Sequence, residues 1–195
     1  MQRLHDLVGR YAASADSAER QRLEGEVWAR YGVERAVMVL DSQGFSRRTQ
    51  RDGLVAALAA VARLRLLLTP LVAGAGGEVV KLEADNLFAV FPDVPAALAA
   101  ARALRLRLDE AKRLEAQPLD ACLGIDSGRI LLLPGLELFG DAVNVAAKLG
   151  EDVATDGEIW LSGRAYAQVE PRPPAEARAL VLSGLEMVAY RLDPG

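Results

Sequence analysis

The sequence predicts an α+β domain with a ferredoxin-like β-α-β-β-α-β nucleus, preceded by a helical segment and followed by additional C-terminal strands. Three observations lead there. Short runs rich in Val, Ile and Leu alternate with long Ala- and Leu-rich stretches of helical period. Gly and Pro punctuate the boundaries, at Gly74 to Gly77, at Pro92 and at Pro118. No internal repeat or low-complexity linker interrupts the order, so the chain reads as an extension over 1–32 and one domain over 33–195.

Residues 4–30 read as helix. Leu4, Leu7, Val8 and Tyr11 recur at helical spacing, polar residues intervene, then Leu23, Val27, Trp28 and Tyr31 resume the pattern before Gly32. Arg35 to Leu40 is a continuous apolar run, the mark of a buried strand, and it ends at Asp41. Ser42 to Ser46 reads as a turn, with one helix from about Thr49 to Val72 after it. Glu78 to Lys81 and Leu87 to Phe91 form a hairpin around Glu83-Ala-Asp-Asn86. Val94 to Arg113 has strong helix propensity.

Leu119 to Ile125 and Arg129 to Leu133 read as two strands joined across Asp126-Ser-Gly128. Phe139 to Leu149 is helical through Val143, Ala146 and Ala147, and Glu158 to Leu161 is a strand. Ser162 is an N-cap for a short helix reaching Val169, Pro171 to Pro174 is a loop, and the last strands lie at Ala177 to Leu182 and Met187 to Leu192.

Composition narrows the chemistry. The chain has 195 residues, 51% of them hydrophobic and 26% charged, which is enough for a core without staples and excludes disorder. A net charge of −4 offers no general positive field, so neither a nucleic acid nor an anionic membrane is an expected partner. A single cysteine, Cys122, rules out an internal disulfide and fits a reducing, cytoplasmic setting. A single histidine, His5, leaves nothing for histidine-rich metal sites or Ser-His-Asp triads. Leu54 to Ala73 is apolar enough to look like a membrane span, but Arg63, Arg65 and Pro70 within it predict a buried amphipathic helix of a soluble protein.

What remains is carboxylates, lysine, arginine and backbone. Asp41 closes the first strand and Asp85 lies in the hairpin between the next two. In a ferredoxin-like sheet these strands are neighbours, so the two carboxylates converge at one edge. Such a pair can hold two divalent cations against a polyphosphate, since Mg²⁺ prefers oxygen ligands and keeps substrate phosphates in its shell. Gly44, just beyond, lets backbone N–H groups approach phosphate at a helix start. Taken alone, each aspartate reads more readily as a turn or cap residue.

Four runs in order carry a resemblance: Asp41-Ser-Gln-Gly-Phe-Ser46, Lys81-Leu-Glu-Ala-Asp85 followed by Leu87 to Phe91, Leu123-Gly-Ile-Asp-Ser-Gly-Arg129, and Phe139-Gly-Asp-Ala-Val-Asn-Val-Ala-Ala-Lys148. Together with Gly157-Glu-Ile-Trp-Leu-Ser162 they resemble the class III nucleotidyl cyclase catalytic domain, over about Arg35 to Leu192. The resemblance implies a ferredoxin-like fold and head-to-tail pairing into a homodimer with active sites between subunits. It implies conversion of ATP to 3′,5′-cyclic AMP and pyrophosphate with two Mg²⁺ or Mn²⁺ per site, a role in signal transduction, and no need of a histidine base.

Residue by residue, Asp41, Asp85 and the Ser42 carbonyl match the metal ligands, and Ser42, Gln43, Gly44, Phe45 and Ser46 match the phosphate-holding turn. Lys81 matches the base-contacting lysine of adenylate-selective members, where guanylate cyclases carry glutamate. Glu137 stands at its partner position, where adenylate cyclases usually have aspartate. Asn144 matches the ribose-orienting asparagine, and Arg129 an arginine that contacts the triphosphate.

Two positions depart from the pattern: Lys148 replaces an arginine that stabilises the α-phosphate, losing the guanidinium fork, and Ser183 replaces a phosphate-binding lysine. These keep open an alternative, a cyclase-like module that binds nucleotide or a partner with weak or no turnover. Guanylate use is the less favoured substrate reading. The basic cluster Arg47, Arg48 and Arg51 reads as a solvated helix start that can add positive potential near the turn.

Overall fold

In a computed structural model, which describes residues 2–114, 119–182 and 184–193, the chain opens with two helices, α1 (Gln2–Ala13) and α2 (Ser17–Tyr31). The single helix expected over 4–30 is broken because Asp16 takes the N-cap position, its carboxylate accepting from the Ala18 amide at 3.0 Å. Strand β1 (Gly32–Ser42) follows, longer at both ends than its apolar run because its first residues pair with the next central strand. A second correction concerns the segment after it. Gly53, with φ of 91°, divides the expected helix into α3 (Phe45–Asp52) and α4 (Leu54–Gly74).

The hairpin of β2 (Glu78–Glu83) and β3 (Asn86–Phe91) turns on Ala84 and Asp85, and α5 (Val94–Leu114) returns the chain across the sheet. Strand β4 (Ala121–Leu133) is continuous, where two strands and a turn were expected. Asp126, Ser127 and Gly128 stay in the ladder opposite Val37, Ala36 and Arg35. The Asp126 carboxylate is satisfied by Ser162 and Arg164 rather than by a turn backbone, so the turn signal of Asp-Ser-Gly is overridden.

A three-residue strand absent from the sequence reading, β5 (Glu137–Phe139), pairs back on β4. Next come α6 (Asp141–Lys148), one π-helical turn (Leu149–Val153), β6 (Ile159–Ser162) and α7 (Gly163–Tyr166). Ser162 caps α7 as expected, accepting from the Ala165 amide. The chain closes with β7 (Ala175–Leu182) and β8 (Leu185–Leu192).

The sheet runs β2-β3-β1-β4-β6-β8-β7. Its first four strands are antiparallel neighbours in ferredoxin-like order, β4 to β6 is parallel, and the β7–β8 pair extends the far edge. Side-chain alternation along β1 sends Ala36, Met38 and Leu40 to the face covered by α4 and α5, with Phe91, Leu104 and Leu123. Val37 and Val39 go to the other face, beneath α6, with Phe88, Ile130, Val143 and Ala146. Both faces of β1 are therefore buried, the physical reason its sequence is a continuous apolar run.

Helix α4 is long and apolar enough to cross a membrane by length and composition. Here it lays Ala57, Ala60, Leu64, Leu68 and Val72 on the sheet. Helices α1 and α2 form a smaller cluster, Leu4, Leu7, Leu23 and Val27 packing on Leu133 of β4.

Candidate active site

Asp41 follows Val37 and Val39 at two-residue period, so its carboxylate lies on the α6 face at the end of β1. The register pairs Asp41 with Asn86, which sets Asp85 one residue beyond it, and the Ser42 amide donates to the Asp85 carbonyl at 3.3 Å. The convergence expected from the sequence is realised. Burial, and then the negative charge of Asp85, push the Asp41 carboxyl up to about 6, against a 2.8 Å hydrogen bond from Gln43 Nε2. A carboxylate raised by a like charge beside it marks a place where a cation is stabilising.

A third acid stands close. Glu151, in the π-helical turn, is raised by burial first and then by Asp41, Asp152, Glu83 and Asp85. Sequence reasoning passed over it. Only the π turn, packed where Gly124 and Gly150 let backbone meet backbone, brings it to the edge. Among the described residues, no three His, Cys, Asp or Glu side chains surround one point closely enough to hold an ion alone. Two aspartates and a carbonyl fit Mg²⁺ or Mn²⁺, hard cations that complete their shell with water and substrate phosphate.

The turn after β1 is partly committed. The Ser42 and Gln43 amides donate to the Asp85 and Asp120 carbonyls, so the free donors begin further on. Gly44, at φ of 79°, starts α3 without a side-chain cap, which leaves the first-turn amides of Phe45 and Ser46 directed outward. Gln43, Gly44, Arg47, Arg48 and Arg51 line a small polar cavity there, about 290 Å³ in volume.

Lys81 and Glu137, on β2 and β5, meet at 2.7 Å. Lys81 also reaches Glu83 at 2.9 Å and lies 4.8 Å from the Phe88 ring centroid. Burial works against the Lys81 charge, but the hydrogen bonds to Glu137 and Glu83 outweigh it and its pKa is raised. Burial likewise opposes the Glu137 charge, and the Lys81 and Leu138 N–H donors outweigh it, holding its pKa down.

Asn144 and Lys148 are four residues apart, on one face of α6, and line an open cavity of about 530 Å³ bordered by Val188 and Leu185 of β8. Lys148 makes a loose 3.5 Å pair with Asp152. Arg129 is not brought to this group. It points to the opposite face of β4 from Ile130, stacked 4.3 Å from the Trp28 ring of α2. Sequence position 183 lies outside the described residues, so Ser183 has no structural account.

No protein-family profile matches the chain. It is 31% identical over 139 residues to "Putative adenylate cyclase 3" of Rhizobium meliloti (strain 1021), a match covering 70% of this chain and 23% of that protein. The chain thus spans about a quarter of the length of that curated relative. The crystal structure of an adenylate/guanylate cyclase/hydrolase from Silicibacter pomeroyi superposes with a TM-score of 0.71 at 27% identity, over 84% of this chain and 98% of that one. The guanylyl cyclase domain of a RhoGC fusion protein from Blastocladiella emersonii shares the fold, with a TM-score of 0.71 at 19% identity over 83% and 97%. Sequence, sheet order and the convergence of Asp41 with Asp85 agree, and the chain belongs to the class III adenylate/guanylate cyclase catalytic-domain family.

Proposed function

We propose that this chain is an adenylate cyclase that converts ATP to 3′,5′-cyclic AMP and pyrophosphate at a site shared between two copies of itself. The observation that carries the reading is the Lys81–Glu137 pair at 2.7 Å, its lysine on the hairpin whose turn carries Asp85. A donor and an acceptor held together match the ring nitrogen and amino group of adenine. Guanine, with its carbonyl and reversed ring proton, suits that pair less well.

In the reaction the ribose 3′-oxygen bonds to the α-phosphorus, the bond from that phosphorus to the β-phosphate oxygen breaks, and the hydroxyl proton is lost. Asp41, Asp85 and the Ser42 carbonyl would hold two Mg²⁺ or Mn²⁺, which supply charge neutralisation for the triphosphate and lower the pKa of the attacking hydroxyl. Asn144 orients the ribose. Lys148 meets the α-phosphate with a single ammonium, and the first-turn amides of α3 hold phosphate oxygens. Pairing of two copies is supported by apolar side chains left exposed around the cavity, Leu185 at 67% and Val188 at 46%.

Lys148 favours a second reading, a module that binds the triphosphate with little turnover, because an ammonium paired with Asp152 cannot offer the two-pronged contact of arginine. Incubation with ATP or GTP, each with Mg²⁺ and with Mn²⁺, decides. Cyclic AMP formation that disappears in Asp85→Ala supports the first reading. Tight ATP binding without product supports the second, and preferential cyclic GMP formation overturns the base assignment.

A further inference from the structure

The mid-strand acid of β4 has no role in the reading above. Asp126 is fully buried, and a carboxylate there is costly unless it is paired and hydrogen-bonded. It is both. Arg164 grips it through two nitrogens, Nε to Oδ1 at 2.8 Å and Nη2 to Oδ2, and Ser162 Oγ donates to Oδ1. Apolar side chains of the same volume would serve stability as well as such a pair does. What the ion pair adds is direction, since a forked contact fixes where the guanidinium lies.

It lies against α6. The same Nη2 donates to Asp141 Oδ2 at 2.8 Å, and Asp141 is the first residue of α6, whose N-cap Gly140 offers no side-chain cap. One guanidinium therefore ties the sheet centre, α7 and the start of α6 together. The Asp141 carboxylate is 65% exposed, so this outer bridge contributes little to global stability. Its effect is positional. Helix α6 has eight residues and is about 12 Å long, so a tilt of about 5° displaces its far end by about 1 Å. Asn144 and Lys148 ride on it, and both line the cavity whose wall includes Asp126, Asp141 and Arg164.

We propose that Arg164 is a positioning residue for cyclisation: anchored on buried Asp126, it holds Asp141 and so sets the orientation of the helix that presents Asn144 and Lys148. The inference rests on the adenylate cyclase reading in that those two side chains meet substrate. A misplacement of about 1 Å at reacting groups costs on the order of 100-fold in rate, whereas ground-state binding is less sensitive.

Three variants of the full chain test it. Asp141→Ala removes the outer contact and leaves the buried pair intact, Arg164→Lys keeps one charge but cannot span both carboxylates, and Asp141→Asn keeps an acceptor. In the first two, kcat for cyclic AMP is expected to fall about 10-fold or more with KM for ATP within about 2-fold. Amide exchange over 142–148 is expected to quicken about 10-fold while β4 stays protected. Asp141→Asn recovers most of kcat. Glu110→Gln, an exposed carboxylate on α5 away from both the cavity and the network, leaves kcat unchanged.

Wild-type kcat and α6 exchange in Asp141→Ala overturn the proposal, as does a loss of kcat that tracks a fall in melting temperature across the whole sheet. If the wild type makes no cyclic nucleotide, the activity reading fails, and exchange in α6 still decides whether Arg164 sets that helix.

Discussion

Gly124→Ala is the sharpest probe of how the sheet carries the site. A Cβ built on Gly124 would stand 2.0 Å from the Ala146 carbonyl oxygen, 2.5 Å from the Gly150 amide nitrogen and 2.9 Å from Leu149 Cβ. The two nearest atoms are backbone, so no rotamer change relieves the clash. The end of α6 and the π turn must retreat by more than an ångström, carrying Lys148 and Glu151 with them. Overpacking costs about 1–3 kcal/mol, and a rigid backbone obstacle belongs at about 3 kcal/mol. For a chain of this size that is a drop of about 6–12 °C in melting temperature, read by calorimetry or circular dichroism. Gly25→Ala is the control. It sits within α2 with nothing within 4 Å of the added methyl, and is expected to gain up to about 1 kcal/mol from helix propensity. A Gly124→Ala protein melting within about 2 °C of wild type would refute the claim that α6 rests on this glycine.

In metal-free buffer the folded protein holds the Asp41 proton more tightly than the unfolded chain does. The Asp41 contribution to stability should therefore fall as pH rises from about 4 to about 6, so Asp41→Asn should melt above wild type at pH 8 with the gap closing toward pH 4. A constant gap across pH contradicts the upward shift that burial and the Asp85 charge together impose on Asp41. Asp120 has the opposite sign: burial raises it, but Lys112 and Arg105, at 2.7 and 2.6 Å, outweigh that and depress its pKa. Its contribution is present above the ordinary carboxylate range and lost as pH falls through the depressed value, so Asp120→Asn should flatten the acid limb of denaturant midpoints; an unaltered limb counts against the pair. ATP binding by calorimetry should weaken at least about 10-fold when divalent cations are chelated, since Asp41, Asp85 and Glu151 repel bare phosphates; equal affinity without metal would contradict this.

Much of the fold was legible because burial writes itself into spacing. The two-sided burial of β1 shows as an unbroken apolar run, and the amphipathic faces of α5 and α6 show as helical period. What was not legible turns on side chains that satisfy each other across long separations. Asp126-Ser-Gly128 has the composition of a turn, but its carboxylate is satisfied within the strand by Ser162 and Arg164, 36 and 38 residues later. Asp16 and Gly53 broke expected helices by local chemistry that was present in the sequence but outweighed by periodicity. For the site, Asp41 lies beside Asp85, as the strand order implied, and Lys81 beside Glu137, as the resemblance implied. Arg129 did not, because strand parity in an uninterrupted β4 turns it to Trp28, and reading β4 as two strands concealed that parity.

The charges around the site then acquire a common logic. Lys81 is held by two carboxylates, Lys148 by Asp152 and Arg164 by two more, so few of the cations near this face offer a full charge to an anion. An electrically satisfied surface of this kind does not collect phosphates by itself. It does define positions, because each cation is tethered at a fixed point by its partner. On the proposed reading, triphosphate binding would depend on cations brought from solution to Asp41 and Asp85, while the protein's own cations would act on orientation and on charge that develops only as the α-phosphorus is attacked. Affinity and geometry would then fall to different residues. Replacing Lys148 by arginine should change turnover more than binding for the same reason, since the added fork acts where charge appears in the transition state.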